Sequence, residues 1–227
     1  MSRETHKYLS DAIEILKRNV TPLLFLALTG LLFYAPTSSG SLSGFTSVLA
    51  MLIIFIIYPL IYGRYVEIIN NNRIISYVQI FRAHWLNFVI VSIIIASPIL
   101  IVSFVGLVLR SPILGIRVIL SIAVDILSIY ILPLVFLLRE RFPCIPLGMK
   151  CLVGNFTFST PLVLLTLVPS VLGLLVKSVA APSSPSSPIL AFSYLLWLIN
   201  IVIDFTVFIA ATLILKQKLL TPSEGSA

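Results

Sequence analysis

Two acids, Asp125 and Asp204, stand inside long apolar runs. Counted at about 1.5 Å of helix per residue, Asp125 lies about 21 Å from Arg139 and Asp204 about 18 Å from Lys216. Both therefore fall well within a hydrocarbon core of about 30 Å. A charged Asp at that depth costs at least roughly 2.5–3.5 kcal/mol. Each belongs to a polar stripe at helical spacing, Ser121, Asp125 and Ser128 in one run and Ser193, Asn200 and Asp204 in another. Lipid offers such stripes no partners, so they must face other helices or a wet cavity. Three chemistries suit a pair of acids there. They can be hydrogen-bonded between helices, they can relay a proton or cation, or they can converge on one water as an aspartyl protease does. Neither VDIL nor IDFT carries a G-x-G-D pattern, which sets the protease aside.

The other reactive residue types are sparse. His6 and His84 lie outside the expected spans and far apart, and no H-E-x-x-H is present. Cys144 and Cys151 are seven apart without neighbouring histidines, a poor metal site. There is no G-x-x-x-x-G-K-[ST] and no Rossmann glycine fingerprint. No catalytic site, metal or cofactor is expected. The glycosylation-like triplets at Asn19 and Asn155 fall on the cytoplasmic side of the topology derived below and carry no weight.

The elements that hold these residues follow from composition. Of 227 residues 59% are apolar and only 10% charged, with a mean hydropathy of +1.14. A soluble domain is nearer half apolar and a quarter charged, so too few charges exist here to cover a water-facing surface. A disordered chain, a disulfide scaffold and a membrane-attached soluble enzyme are excluded on the same ground. Apolar segments run at about Val20 to Pro36, Phe45 to Tyr62, Trp85 to Leu109, Val118 to Leu138, Phe156 to Val176 and Ile189 to Leu215. Prolines 59, 98, 133, 161 and 169 within them are ordinary for membrane helices. The first run follows a charged leader like a signal peptide, but that leader is itself patterned as a helix and recurs, so a true span is expected.

The excess of Lys and Arg over acids, 15 to 8, reads as topology and not as a nucleic-acid surface. Twelve of the fifteen lie in the N-terminal segment, Gly63 to His84, Arg139 to Lys150 and the tail; only Arg110, Arg117 and Lys177 lie opposite. The positive-inside rule then puts both termini in the cytoplasm, with the plasma membrane as the expected location.

The segments recur. Asn19, Asn87 and Asn155 are spaced by 68 and 68 residues, each where an amphipathic stretch meets an apolar one: KRNVTPLLFL, HWLNFVIVSI and LVGNFTFSTP. Before Asn19 the stripe is Leu9, Ala12, Ile13, Leu16 and Val20; before Asn87 it is Ile74, Ile75, Val78, Phe81 and Trp85. Ser76 and Gln79 have capping-box spacing. The second apolar run of each unit ends alike, in YPLIYGRYVE, LPLVFLLRER and AATLILKQK. The expected fold is an all-α polytopic membrane protein. Six transmembrane helices form three tandem hairpins, each preceded by a cytoplasmic amphipathic helix, over about residues 5–67, 73–141 and 144–218, with a short disordered tail at 219–227.

The pattern D-A-I-E-I-L-K-R-N-x-x-P-L-L before the first span resembles a broad group of prokaryotic multi-pass membrane proteins. That group includes the membrane domain attached to some glycerophosphodiester phosphodiesterases. An amphipathic segment ending in N-F leads into each hairpin there, and Gly154, Asn155 and Phe156 echo it. The resemblance implies a six-helix membrane domain; the clustered His, Glu and Asp of the catalytic part are absent from this sequence. The loops are too short for a catalytic or receptor domain, so function is expected in the bundle or its partners. The leading expectation is a non-enzymatic accessory or scaffolding subunit, or a factor acting on the bilayer, with lipid and other protein subunits as partners. The alternative is a small transporter or channel using Asp125 and Asp204.

Overall fold

The computed structural model describes residues 3–34, 40–70, 76–108, 114–179 and 187–217, with side chains described over 4–28, 55–70, 76–106, 108, 115–172 and 192–217. Eight helices and no strand occur among them: α1 (Arg3–Arg18), α2 (Thr21–Tyr34), α3 (Gly40–Ile69), α4 (Tyr77–Val108), α5 (Leu114–Leu138), α6 (Cys144–Gly154), α7 (Phe156–Val179) and α8 (Ser187–Leu215). Three of the described helices, α4, α5 and α8, are long and apolar enough to cross a membrane; a fourth is added if α6 and α7 form one bent span. Six spans exceed this count. α2 has 14 residues, short of the roughly 20 a span needs. The side chains at 40–54 of α3, the expected tail at 219–227, and Ile74 and Ile75 lie outside the described residues.

Each apolar stripe is rotated from the one the sequence suggests. α1 buries Thr5, Tyr8, Ala12 and Leu16 against α8, while Ile13 and Val20 stay exposed. The Tyr8 hydroxyl donates to Gln217 Oε1 at 3.0 Å. Burial, with the charges of Glu4 and Asp11 adding to it, pushes this phenol up and keeps it a donor. At the start of α4 the buried residues are Ile80, His84 and Phe88, not Val78, Phe81 and Trp85. Gly63 of α3 permits that contact, since a Cβ there would stand 2.4 Å from Ile80 Cγ2 and 3.6 Å from the His84 ring.

The three marker asparagines also divide. Asn19 and Asn155 each end an amphipathic helix, and each side-chain amide donates back to the carbonyl four residues before, Ile15 at 3.0 Å and Cys151 at 3.2 Å. At Asn155 the chain turns by 104° between α6 and α7, as a helix lying along a surface does when it meets one that crosses. Asn87 instead sits inside the unbroken α4. The second amphipathic segment is therefore not a separate helix but the first turns of α4. The capping box at its start is present, with Ser76 N–H donating to Gln79 Oε1 at 3.1 Å and Gln79 N–H to Ser76 Oγ at 3.3 Å.

The packing is cyclic. α3, α5 and α8 touch one another at the centre. α2 lies between α8 and α3, α4 between α3 and α5, and α7 between α5 and α8. The amphipathic segments follow the same order: α1 packs on α8, the start of α4 on α3, and α6 on α5. The core they enclose is aromatic near the α1/α6 end, where the Tyr62 ring stands 4.2 Å from Phe208, 5.0 Å from Phe205 and 5.9 Å from Phe136.

Candidate functional site

Because α5 and α8 meet at the centre, their polar stripes can face each other. Asp125, Ser128 and Asp204 line one cavity of about 180 Å³, together with Tyr62 of α3 and Thr166 of α7. Ile129, Leu132, Val207 and Phe208 form its apolar wall. The two carboxyls share this one space. Ser121 is exposed, and Ser193 and Asn200 are half-buried; none of the three is among the lining residues. Half of the expected polar set is thus brought together and half is not.

The hydrogen bonds around the cavity fix what it can bind. Ser128 Oγ donates to the Asp125 carbonyl at 2.7 Å, and Thr166 Oγ1 donates to the Leu162 carbonyl at 2.9 Å. Both hydroxyl protons are committed to their own helices, which leaves oxygen lone pairs for the cavity. Among the described residues neither carboxyl has a hydrogen-bond or ion-pair partner. The lining is therefore rich in oxygen acceptors, with the Tyr62 phenol as its one uncommitted donor. Hard oxygen donors of this kind suit a proton, a hydronium ion or a hard cation and not a soft metal. The volume admits several waters or a partly hydrated ion. Among the described residues no cluster of three or more His, Cys, Asp or Glu exists, so a tightly chelated transition metal has no ligand set there.

Toward the α1/α6 end the cavity abuts the aromatic cluster, since Tyr62 and Phe208 belong to both. Beyond it lie polar residues to which the sequence assigned no chemistry. His84 is buried, its ring 5.0 Å from Phe136, with Nδ1 lacking a hydrogen-bond partner. Glu67 is buried on α3 and faces Arg139 Nη2 at 3.6 Å. Asn87 is a clamp between α4 and the turn after α5: its Nδ2 donates to the Arg139 carbonyl at 2.9 Å, and its Oδ1 accepts from Arg141 Nε at 2.6 Å. Arg139 itself has a positive φ of 56°, an uncommon backbone state for a residue with a Cβ. The sequence signals for this end were Asn87, read as a repeat marker, and Arg139 and Arg141, read as topology.

The chain matches no protein-family model, and no curated protein and no solved structure matches it. The class defined by fold and site is a helical protein with at least three helices compatible with membrane crossing.

Proposed function

We propose that this is a non-enzymatic, multi-pass protein of the plasma membrane that binds and passes a proton or small hard cation through the cavity between Asp125 and Asp204. The observation that carries the reading is the lining itself, in which two unpartnered carboxyls and two hydroxyls with committed protons share one space. Two negative charges in an apolar-walled cavity are costly unless a proton or cation joins them. Hydrogen bonds between helices would have given the acids a purely structural role, and none forms among the described residues. The Tyr62 and Phe208 rings, 4.2 Å apart, stand where they would close the cavity toward the cytoplasm.

In this reading the chain is built of three repeated units, crosses the membrane several times and has both termini in the cytoplasm. The cyclic packing of α1, α4 and α6 supports it, because each amphipathic segment meets the second long helix of the unit before it. The bend of 104° at Asn155 suits an α6 lying along the bilayer surface.

The test is flux in liposomes holding the purified full chain, read with an internal pH dye and with sodium- and potassium-sensitive dyes. The double variant Asp125→Asn with Asp204→Asn should lose at least tenfold of the flux, and Arg18→Gln should keep it. Unchanged flux in the double variant would end the transport reading. If a stoichiometric protein also co-purified in mild detergent, the chain would then be an accessory subunit.

A further inference from the structure

A second concavity lies outside the carboxyl cavity, at the α1/α6 end of the bundle. It is formed by the first turns of α4 and the turn joining α5 to α6, and its volume is about 590 Å³. Arg82 enters it from α4, and Arg139 and Arg141 enter it from the turn. Three guanidinium groups outnumber the carboxylate of Glu140 in the lining and that of Glu67, which faces Arg139 Nη2 at 3.6 Å, so the pocket is net positive. Arg82 is exposed and has no hydrogen-bond or ion-pair partner among the described residues. Arg141 gives only its Nε, to Asn87 Oδ1 at 2.6 Å, so the fork of its terminal nitrogens is uncommitted. Asn87 holds both sides of the turn, because its Nδ2 also donates to the Arg139 carbonyl at 2.9 Å. Arg139 and Arg141 are thus pre-positioned, while the Arg82 side chain is free to turn toward a ligand. Planar forks converging on one space match a tetrahedral oxyanion, which they grip through paired N–H bonds.

The same pocket has an apolar border. Leu86 and Phe142 line it, and both are well exposed, Phe142 at 68%. An exposed Phe beside three arginines is poorly suited to water, and well suited to the boundary between head groups and acyl chains. The geometry points to a binding site for a phosphate group, held by Arg82, Arg139 and Arg141, and carried by an anionic phospholipid whose chains lie along Leu86 and Phe142. This site rests on the membrane reading of the chain and is independent of transport by the carboxyl cavity.

The test is native mass spectrometry of the full chain in neutral detergent, titrated with phosphatidylglycerol, with phosphatidylcholine and with inorganic phosphate. Phosphatidylglycerol should bind with defined stoichiometry and at least tenfold more tightly than phosphatidylcholine. Arg82→Gln with Arg141→Gln should weaken it at least tenfold, while Lys17→Gln with Arg18→Gln on α1 should leave it within twofold. Arg82→Gln alone, which breaks no internal bond, should weaken it severalfold and covers the case in which the double variant does not fold. Equal weakening by the α1 pair would overturn the site, because the effect would then be bulk charge alone. Inorganic phosphate binding as tightly as phosphatidylglycerol would overturn the lipid assignment.

Discussion

Replacing both cavity acids should stabilise the protein, and the sign of that change separates the two roles the acids could have. Asp125 and Asp204 line one cavity and have no hydrogen-bond or ion-pair partner among the described residues. An ionised Asp in lipid near the bilayer centre costs at least roughly 2.5–3.5 kcal/mol, and water in the cavity reduces that cost. Asn keeps the shape and removes the charge, so Asp125→Asn with Asp204→Asn should gain about 1 to 3 kcal/mol. For a chain of this size each kcal/mol shifts the melting point by about 2–4 °C, which predicts a rise of about 2 to 12 °C. If the acids instead bridged helices, losing them would cost about 0.6–1.7 kcal/mol per bond and lower the melting point. Either single variant already removes the repulsion between the acids, so the two single gains should sum to more than the double gain. Thermal unfolding in mild detergent at neutral pH, followed by Trp85 and Trp197 fluorescence, reads all three values. A melting point that falls in the double variant would refute the reasoning.

Two further outcomes test the packing that builds the site. Gly148→Ala would place a Cβ 2.5 Å from Ile131 Cγ1 and 3.0 Å from the Ile131 backbone, whereas Gly154→Ala meets nothing within 4 Å. Overpacking at Gly148 should cost about 1–3 kcal/mol, against a helix-propensity gain of up to about 1 kcal/mol, so its melting point should fall while that of Gly154→Ala does not; equal melting points would show that α6 does not seat on α5 as described. Cys144 and Cys151 are both buried between these helices, so maleimide should label neither thiol in the folded protein and both after denaturation in SDS, and fast labelling before denaturation would contradict the same contact.

Much of the local architecture was legible because it depends on near neighbours in the chain. Ser76 and Gln79 announce a helix start by their spacing, and the reciprocal bonds are present. Asn19 and Asn155 mark helix ends because their surroundings cannot sustain a helix smoothly: Thr21 and Pro22 open α2, and Gly154 precedes Asn155. The stretch His84 to Val91 around Asn87 contains neither Gly nor Pro, so the ladder of backbone bonds simply continues, and α4 absorbs the segment expected to lie apart. The faces were less legible. An amphipathic helix beside a bilayer has two apolar environments, protein and lipid, and hydrophobicity does not distinguish them. Hence Ile13 and Val78, placed on the apolar stripe by periodicity, are exposed, while Thr5 and His84 are buried.

The meeting of Asp125 and Asp204 could not be read from spacing either, yet it follows from the packing. Helices α3, α5 and α8 all touch, so each presents one face to a shared centre. The inner faces of α5 and α8 carry Asp125, Ser128 and Asp204 to that centre, while Ser121, Ser193 and Asn200 lie off it. Contact between α5 and α8 thus brings the two acids to one cavity, and α3 completes the wall with Tyr62. The sequence difference among the three helices thereby acquires a chemical meaning. A third acid would bring a third charge to a centre where two already lack partners. Tyr62 instead adds an uncharged phenol to the lining and a ring to the aromatic cluster, so one residue belongs to both.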